Sequence, residues 1–321
     1  MPEVTIITPC YNAGKYLQQQ IQSLKKQTLT DWEAVYVDDC STDNTWDILS
    51  QASKEDERIR VHRLEKNSGS AKAPRDMAAR LSEAPWICNI DADDWVTETY
   101  LEQLFQRQQE TDADIVCSSM VGTDDKGEGN LFSLPRPPFD FNKVYTSEEA
   151  VCMTLLDWNL PMGGYLLRKE IYCGRESFKN PEMSHMNADE LGSREILSLT
   201  KRVAVCKAIY YYRQNSNSIS HNEERSVDIV ITDALLLDFT RNNYGSDSSA
   251  YRKAHSSYII NLFRTAKKIE KGIHASNEIL NVLKQGFSTL SISQLFRADI
   301  PLMRKFRFLA RLSRYKKMFT D

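Results

Sequence analysis

The sequence predicts an α/β fold in which a mostly parallel sheet is flanked by helices and followed by a helical C-terminal extension. Over the first 120 residues, short β-branched apolar runs alternate with segments whose apolar residues recur at helical spacing. Polar loops follow three of these runs, at 9–14, 38–41 and 91–94. From about residue 223 the pattern is helical throughout. Strand–helix alternation of this kind produces parallel strands joined by right-handed crossovers.

The individual elements follow in a regular order. We expect strands at 4–8, 34–37, 59–64, 86–90 and 114–121. The helices between them are predicted at 16–27, after a cap at Asp43, at about 74–82, and around Leu101, Leu104 and Phe105. Thr146 and Glu149 have the spacing of a capping box, which predicts a further helix. Ligands of such sheets bind at the carboxyl ends of the strands, so the three polar loops mark the expected site.

Length and composition limit the class of protein. The 321 residues are 41% hydrophobic, and we expect three parts, at 1–121, 122–222 and 223–321. With 41 basic and 44 acidic residues the net charge is −3, which gives no indication of nucleic-acid binding. The seven cysteines show no C-x-x-C spacing and indicate reduced core residues. Without a signal-peptide pattern or a long apolar run, a cytoplasmic protein is expected.

The segment 86–95, Trp86-Ile87-Cys88-Asn89-Ile90-Asp91-Ala92-Asp93-Asp94-Trp95, organises the predicted site. A buried strand ends there in three carboxylates, which repel one another unless a cation lies between them. Hard divalent cations prefer carboxylate and phosphate oxygens, so a nucleotide diphosphate with its metal is the expected ligand. The alternative for an isolated D-x-D sequence is a solvated acidic turn.

Two familiar phosphate-binding patterns are missing from the sequence. It contains neither G-x-x-x-x-G-K-[ST] nor G-x-G-x-x-G after the first strand. We therefore expect metal and side chains to hold the phosphates. Asp38 or Asp39 is then left to bind a base or ribose, and Tyr11 to pack against the base. Asn12 and Ser41 are either ligands or plain turn residues.

Four ordered segments resemble glycosyltransferase family 2, the inverting enzymes with the Rossmann-like GT-A fold. They are Ile6-Ile7-Thr8-Pro9-Cys10-Tyr11-Asn12, Val37-Asp38-Asp39-Cys40-Ser41-Thr42-Asp43, Asn67-Ser68-Gly69 with Arg75, and Ile90-Asp91-Ala92-Asp93-Asp94. The resemblance covers roughly residues 3–120. One departure is Pro74-Arg75-Asp76, where the family usually has Ala-Arg-Asn.

The resemblance implies a role for each matched residue. Pro9, Tyr11 and Asp39 would hold the nucleoside, with Asp39 at the uracil edge. Arg75 would lie near the base or diphosphate and Asp91 near the ribose, and Asn12 and Asn67 complete the expected donor-binding set. Asp93 would ligate Mn²⁺ or Mg²⁺ as the second acid of the DXD motif, with Asp91 or Asp94 beside it.

A second acidic segment lies at Asn187-Ala188-Asp189-Glu190. Family members place an acidic pair about a hundred residues after the D-x-D, and its Asp is the catalytic base. Aligned on the downstream Tyr210-Tyr211-Tyr212-Arg213, Asp189 falls on that Asp, with Glu190 as a fallback because Ala188 replaces the usual Glu. Otherwise Asp189 is only a helix N-cap. His221 and His185 are either donors to metal or phosphate, or surface residues.

The C-terminal end is basic and amphipathic. Phe308, Leu312, Tyr315 and Phe319 share one helical face among many Arg and Lys residues. That helix either docks peripherally on anionic lipid at the inner face of the membrane or packs on the body of the protein.

The expected function is metal-dependent transfer of a sugar from a nucleotide diphosphate sugar, a UDP-sugar by the resemblance, to a glycan or lipid-linked glycan in surface polysaccharide biosynthesis. Two alternatives remain open at this stage. A sugar-phosphate nucleotidyltransferase would need a glycine-rich loop with Arg and Lys after the first strand, which 9–14 is not. A non-catalytic sugar-nucleotide-binding scaffold would lose acids such as Asp93 and Asp189, which this chain keeps.

Overall fold

The computed structural model describes residues 1–156, 158–179, 188–214 and 227–320. The chain forms two compact units. The first comprises Met1–Ala150 and Asn159–Asn215, and the second comprises Val151–Trp158 and Ser216–Asp321.

The first unit is built on one mixed sheet. Its strands are β1 (Val4–Cys10), β2 (Trp32–Asp38), β3 (Ile59–Arg63), β4 (Trp86–Asn89), β5 (Trp95–Val96), β6 (Ile115–Thr123), β7 (Phe132–Leu134), β8 (Tyr165–Arg168) and β9 (Val203–Arg213). The order is β3-β2-β1-β4-β8-β6-β9-β5, with β7 paired to β6. The pairs β1–β2, β1–β4, β2–β3 and β6–β9 are parallel, whereas β5, β7 and β8 join antiparallel. The predicted α/β class with a largely parallel sheet is confirmed.

The helices before residue 214 alternate with these strands. They are α1 (Leu17–Lys25), α2 (Thr45–Glu55), α3 (Lys72–Leu81), α4 (Tyr100–Thr111), α5 (Ser147–Thr154), α6 (Lys169–Gly174), α7 (Glu176–Lys179) and α8 (Ala188–Leu199). The capping box before α5 is confirmed, because Thr146 Oγ1 accepts from the Glu149 N–H at 3.3 Å and the Thr146 N–H donates to Glu149 Oε2 at 2.9 Å.

The central strands are buried along their whole length. Every residue of β1 and β2 is buried, and α3 contacts both strands. This is the environment in which continuous apolar runs, rather than alternating ones, form strands. Both strands therefore extend beyond the apolar runs that predicted them, to Cys10 and Asp38.

Two predicted helix starts are shifted. The N-cap of α2 is Asn44 rather than Asp43, although Asp43 Oδ1 accepts from the Thr45 N–H at 2.9 Å and so still satisfies a first-turn donor. Helix α3 begins at Lys72, which places Pro74 inside its first turn. Proline is tolerated there because first-turn N–H groups have no intrahelical partner.

The second unit is helical. Its elements after residue 227 are α9 (Ile229–Tyr244), α10 (Ser249–Glu270), α11 (Asn277–Thr289), α12 (Ile292–Arg297) and α13 (Leu302–Thr320). None of the helices in the described part of the chain is long and apolar enough to cross a membrane.

Helix α13 packs with its predicted apolar face on this unit. Leu312 and Tyr315 are buried in the core, and Phe308 and Phe319 pack against it. The rings of Phe263 and Phe308 stack with centroids 4.2 Å apart. This face is therefore covered by protein, and it is the packing role, not the lipid role, that holds for these four residues.

Candidate functional site

Three polar loops converge at the carboxyl edge of the sheet. Strand β1 lies between β2 and β4, so the loops that follow all three open at one place. The Asp39 N–H donates to Cys10 O at 2.8 Å, and Thr8 Oγ1 donates to Ile90 O at 2.8 Å. Burial, followed by the charges of Asp38, Asp91 and further acids, raises the pKa of the Cys10 thiol well above its usual value. The thiol therefore lies within the field of carboxylates from separate loops.

Asp38 stabilises the loop after β2. Its buried carboxylate accepts from the Ser41 N–H at 3.2 Å and from the Ser41 hydroxyl, and lies 3.1 Å from Arg63 Nε. These contacts give Asp38 and Ser41 a structural role in the turn. Of the two candidates after β2, Asp39 is the one whose carboxylate faces the neighbouring loop at 67–69.

Asp39 is held by the loop that follows β3. Its Oδ1 accepts from the Ser68 N–H at 2.8 Å, and its Oδ2 accepts from Ser68 Oγ at 2.9 Å and from Asn67 Nδ2 at 3.3 Å. Burial raises the pKa of Asp39, and the Ser68 hydrogen bonds offset part of that effect. Asn67 also donates to the Asp39 carbonyl at 3.0 Å. The structure thus brings Asn67 and Asp39 together.

The loop after β1 places three further predicted residues. Pro9 lies in β1 opposite Val37, and the Tyr11 side chain is 53% exposed beyond the end of that strand. Asn12 has φ 48°, and its Oδ1 accepts from the Thr42 N–H at 2.9 Å. Asn tolerates this left-handed conformation better than most residues. Asn12 therefore acts as a turn residue that fixes the loop after β2.

Arg75 and Asp91 form an ion pair next to this edge. Arg75 Nη2 lies 3.0 Å from Asp91 Oδ1, and both side chains are partly buried. The Asp91 backbone N–H donates to the Tyr210 hydroxyl at 3.2 Å. Arg75 of helix α3 and Asp91, the first acid of the acidic loop, are therefore in direct contact. The two motifs that contain them come together at the same edge of the sheet.

Asp93 and Asp94 are adjacent in sequence and differ in environment. Burial and the charge of Asp91 raise the pKa of Asp93 to about 6. Asp94 is fully buried, and its carboxylate accepts from the Tyr210 hydroxyl at 2.5 Å and the Arg213 N–H at 2.8 Å. Burial raises the pKa of Asp94 well above its usual value. Asp94 joins the loop to β9, so the interpretation of Asp94 as a second metal ligand is not supported.

Arg213, at the end of β9, is a residue whose role sequence analysis missed. Its guanidinium donates to Asp93 O at 2.8 Å, Asp125 O at 2.7 Å and Gln19 Oε1 at 2.6 Å. The same group lies over the ring of Trp95 at 4.7 Å. The sequence identified Tyr210-Tyr211-Tyr212-Arg213 as a family pattern. The contacts of Arg213 join segments far apart in sequence, so no local sequence pattern predicts them.

A buried charged cluster lies behind Arg75. On α3, Lys72 Nζ lies 2.8 Å from Asp76 Oδ2, and Arg175 Nη2 lies 2.9 Å from Asp76 Oδ1. The Tyr172 hydroxyl donates to Asp76 Oδ1 at 2.9 Å. The side chains of Lys72, Asp76 and Arg175 are all less than 10% exposed. Asp76 stands where the family usually has Asn, and here its negative charge lies between two buried cations.

The second acidic segment is described only in part. Asp189 is the second residue of α8, so it lies in the first helical turn rather than at an N-cap preceding it, and its side chain lies outside the described residues. The Glu190 carboxylate pairs with Arg194 one turn later on α8. His185 and His221 lie outside the described residues.

The acidic loop offers carboxylate oxygens, which are the ligands that a hard divalent cation prefers. In the described ranges, no group of three or more His, Cys, Asp and Glu side chains is arranged to hold a metal ion. Asp91 and Asp93 supply two carboxylates, and the pKa of Asp93 is raised first by burial and then by repulsion from the charge of Asp91. A cation between the two would relieve that repulsion, with the remaining ligands coming from phosphate oxygens or water.

The comparisons with known proteins agree on one family. The model of glycosyl transferase family 2 matches residues 5–172. Glycosyltransferase GlyG of Streptococcus pneumoniae is 29% identical over 223 residues, covering 68% of this chain and 73% of that protein. Poly(ribitol-phosphate) beta-N-acetylglucosaminyltransferase TarP of Staphylococcus aureus is 28% identical over 232 residues, covering 70% of this chain and 67% of that protein.

The whole chain also superimposes on solved structures. The crystal structure of S. aureus TarS 1-349 in complex with UDP-GlcNAc superimposes with a TM-score of 0.71 at 18% identity, covering 100% of this chain and 89% of that one. At this identity the likeness shows the fold, which is the GT-A architecture with helices after it.

Proposed function

Because the chain belongs to glycosyltransferase family 2 and is therefore a glycosyltransferase, we propose that it transfers a sugar from a UDP-sugar to a glycan acceptor with inversion and with a divalent cation. The observation that carries the proposal is the convergence of Asp39, the Arg75–Asp91 pair and Asp93 at one edge of the sheet. A site for a nucleotide diphosphate sugar needs three kinds of group. These are a hydrogen-bonding group for the base, a positive charge for the diphosphate and a carboxylate that binds the metal ion.

The nucleoside end is assigned to Asp39. A carboxylate has about four acceptor positions, and the described donors use one on Oδ1 and two on Oδ2. The remaining position on Oδ1 suits the ring N–H of uracil. Tyr11, which is exposed beside the loop, supplies a face on which the base packs.

The diphosphate end is assigned to Arg75, Asp91 and Asp93. Mn²⁺ or Mg²⁺ held by Asp93 and Asp91 would neutralise the charge that develops on the leaving diphosphate. Arg75 supplies fixed positive charge beside the same oxygens and is oriented by its ion pair with Asp91. Ionised Asp93 is the form that binds a cation, and a bound cation would hold it in that form near neutral pH.

The acceptor end is assigned to Asp189, with Glu190 as the alternative. An acid there would take the proton of the acceptor hydroxyl as the new glycosidic bond forms. We further propose that the reaction takes place in the cytoplasm and serves the synthesis of a surface polysaccharide. In support, the relative TarP is named as a transferase for poly(ribitol-phosphate), which is a polymeric acceptor.

A thermal-shift titration tests this function directly. We expect UDP-sugars with Mn²⁺ to raise the melting temperature by mass action, and GDP-sugars to do so only at much higher concentration. Asp39→Asn should abolish the difference between UDP and GDP. The matched control is Asp112→Asn, since Asp112 is an exposed partner of Arg168, and Arg168 pairs with Trp86 at the end of β4 opposite to the acidic loop. Equal stabilisation of the parent protein by UDP and GDP would contradict base recognition by Asp39.

A further inference from the structure

An exposed apolar ridge lies on the last two helices of the second unit. We define it as Ile292 and Phe296 of α12 with Leu302, Met303 and Phe306 of α13. Their side chains are between 36% and 70% exposed. The rings of Phe296 and Phe306 meet edge to face with centroids 5.7 Å apart, and Lys305 Nζ donates to Phe296 O at 2.8 Å. Ile292 lies one turn before Phe296 on the same face of α12, so the five form one surface.

The ridge is distinct from the apolar face that stabilises α13. Leu312 and Tyr315 are buried, and their mean direction around the helix lies about 130° from that of Leu302 and Phe306. The helix therefore has two apolar sides, and within the described part of the chain one of them contacts the core. Folding of the unit explains the first side and leaves the ridge without a structural purpose.

The charge around the ridge is strongly one-sided. Residues 291–320 contain eight Arg and Lys and a single acid, Asp299. Arg297, Arg304 and Arg307 are exposed and immediately adjoin ridge residues in sequence. The whole protein carries a net charge of −3, so the rest of the chain is acidic overall. Positive charge is thus concentrated on the segment that exposes the apolar side chains.

We propose that the ridge is a membrane-docking surface that inserts its apolar side chains into the headgroup region of a bilayer containing anionic lipids. Large apolar side chains surrounded by Arg and Lys are the combination that binds such an interface, through buried apolar area together with attraction to negative headgroups. The ridge is short and lies on helices that do not span a bilayer. It therefore fits peripheral attachment.

The charge pattern favours a membrane over a second copy of the chain. In a two-fold dimer the same patch lies on both sides, so the Arg residues of one ridge would meet the Arg residues of the other. Juxtaposed like charges oppose association. An anionic bilayer supplies the opposite charge over the whole patch.

Co-sedimentation of the full chain with lipid vesicles tests the proposal. We expect binding to vesicles that contain phosphatidylglycerol, little binding to pure phosphatidylcholine, and a marked loss in about 1 M salt because exposed charges are then screened. Arg304→Gln with Arg307→Gln should weaken partitioning about 25-fold, since each surface cation contributes about fivefold. Leu302→Asn with Phe306→Asn should weaken it by about tenfold or more.

Matched controls come from elsewhere in the same unit. Leu280→Asn removes an exposed apolar side chain of α11, and Lys267→Gln with Lys284→Gln removes two exposed cations, so neither should change vesicle binding. Circular dichroism checks that each variant is folded. If Leu302→Asn with Phe306→Asn does not fold, the vesicle binding of Arg304→Gln with Arg307→Gln tests the proposal.

Two results would overturn the proposal. One is equal binding to both kinds of vesicle that the ridge variants leave intact. The other is a dimer, detected by analytical ultracentrifugation, that Leu302→Asn with Phe306→Asn abolishes while the parent protein ignores vesicles. None of these measurements depends on glycosyl transfer, so the proposal stands or fails independently of the donor and acceptor assignments.

Discussion

Replacing Asp76 with Asn tests whether the buried cluster behind Arg75 is held by charge. Asp76 is the common partner of Lys72 and Arg175, at 2.8 and 2.9 Å, and all three side chains are less than 10% exposed. The substitution keeps the shape but leaves two buried cations without their anion. Loss of one partner of a buried ion pair costs about 3–5 kcal/mol. For a unit of this size that corresponds to a melting temperature lower by roughly 10 °C.

Two companion variants make the test specific. Lys72→Met leaves the Asp76–Arg175 pair and removes a cation from the first residue of α3, where the helix dipole disfavours it, so we expect a loss below about 1 kcal/mol. Asp112→Asn breaks an exposed pair with Arg168 and should cost less than about 1 kcal/mol. Urea unfolding followed by circular dichroism measures all three. If Asp76→Asn costs no more than Asp112→Asn, the cluster is solvated and the reasoning fails.

The remaining predictions concern the acids of the site and of the sheet. Asp93→Ala should remove the gain in UDP affinity that Mn²⁺ produces, as measured by calorimetry, and an undiminished gain would reject Asp93 as a ligand. Asp189→Asn should lower transfer about 10²-fold or more and leave UDP binding intact, whereas near-parental turnover would move the assignment to Glu190. Burial raises the pKa of Glu33, but hydrogen bonds from Thr5, the Glu83 N–H and Arg60 outweigh it and hold that pKa below its usual range. The stability from Glu33 is therefore fully present above the unfolded pKa of about 4.3, starts to fall near that pH, and is lost as pH falls through the lower folded pKa. Urea unfolding at about pH 6 and about pH 4 should show a larger drop for the parent than for Glu33→Gln, and equal drops would contradict this.

The fold and the site loops were predictable because their signals are local. Apolar runs and helical spacing identified the strands and helices around β1, β2 and β4, and the polar loops follow directly from strand ends. The distinction between Asp93 and Asp94 was not predictable. It depends on Tyr210 and Arg213 of β9, more than a hundred residues later, whose contacts bury Asp94.

The two sides of α13 show a different limit. Helical periodicity identified the face containing Leu312 and Tyr315, and the pattern is equally consistent with a lipid surface and a protein core. The positions of α10 and α11 distinguish the two, since Phe263 and Phe287 lie against that face and make it part of the protein core. The exposed group at Leu302 and Phe306 was hidden in sequence, because it becomes a surface only where α12 adds Phe296.

The contacts of Arg213 have a consequence for how the protein is made. The acidic loop at 91–94 is held by β9, which is synthesised more than a hundred residues after the loop. Strand β9 also pairs with β5 and β6. Until that strand emerges, Asp94 and Trp95 have no partner in β9, and a nascent chain ending near residue 123 exposes an incomplete sheet edge. Pairing across such sequence distances is slow, because loop closure precedes the gain from the contacts. The N-terminal half should therefore depend on chaperones during synthesis, and it should not be expressible as an autonomous nucleotide-binding fragment.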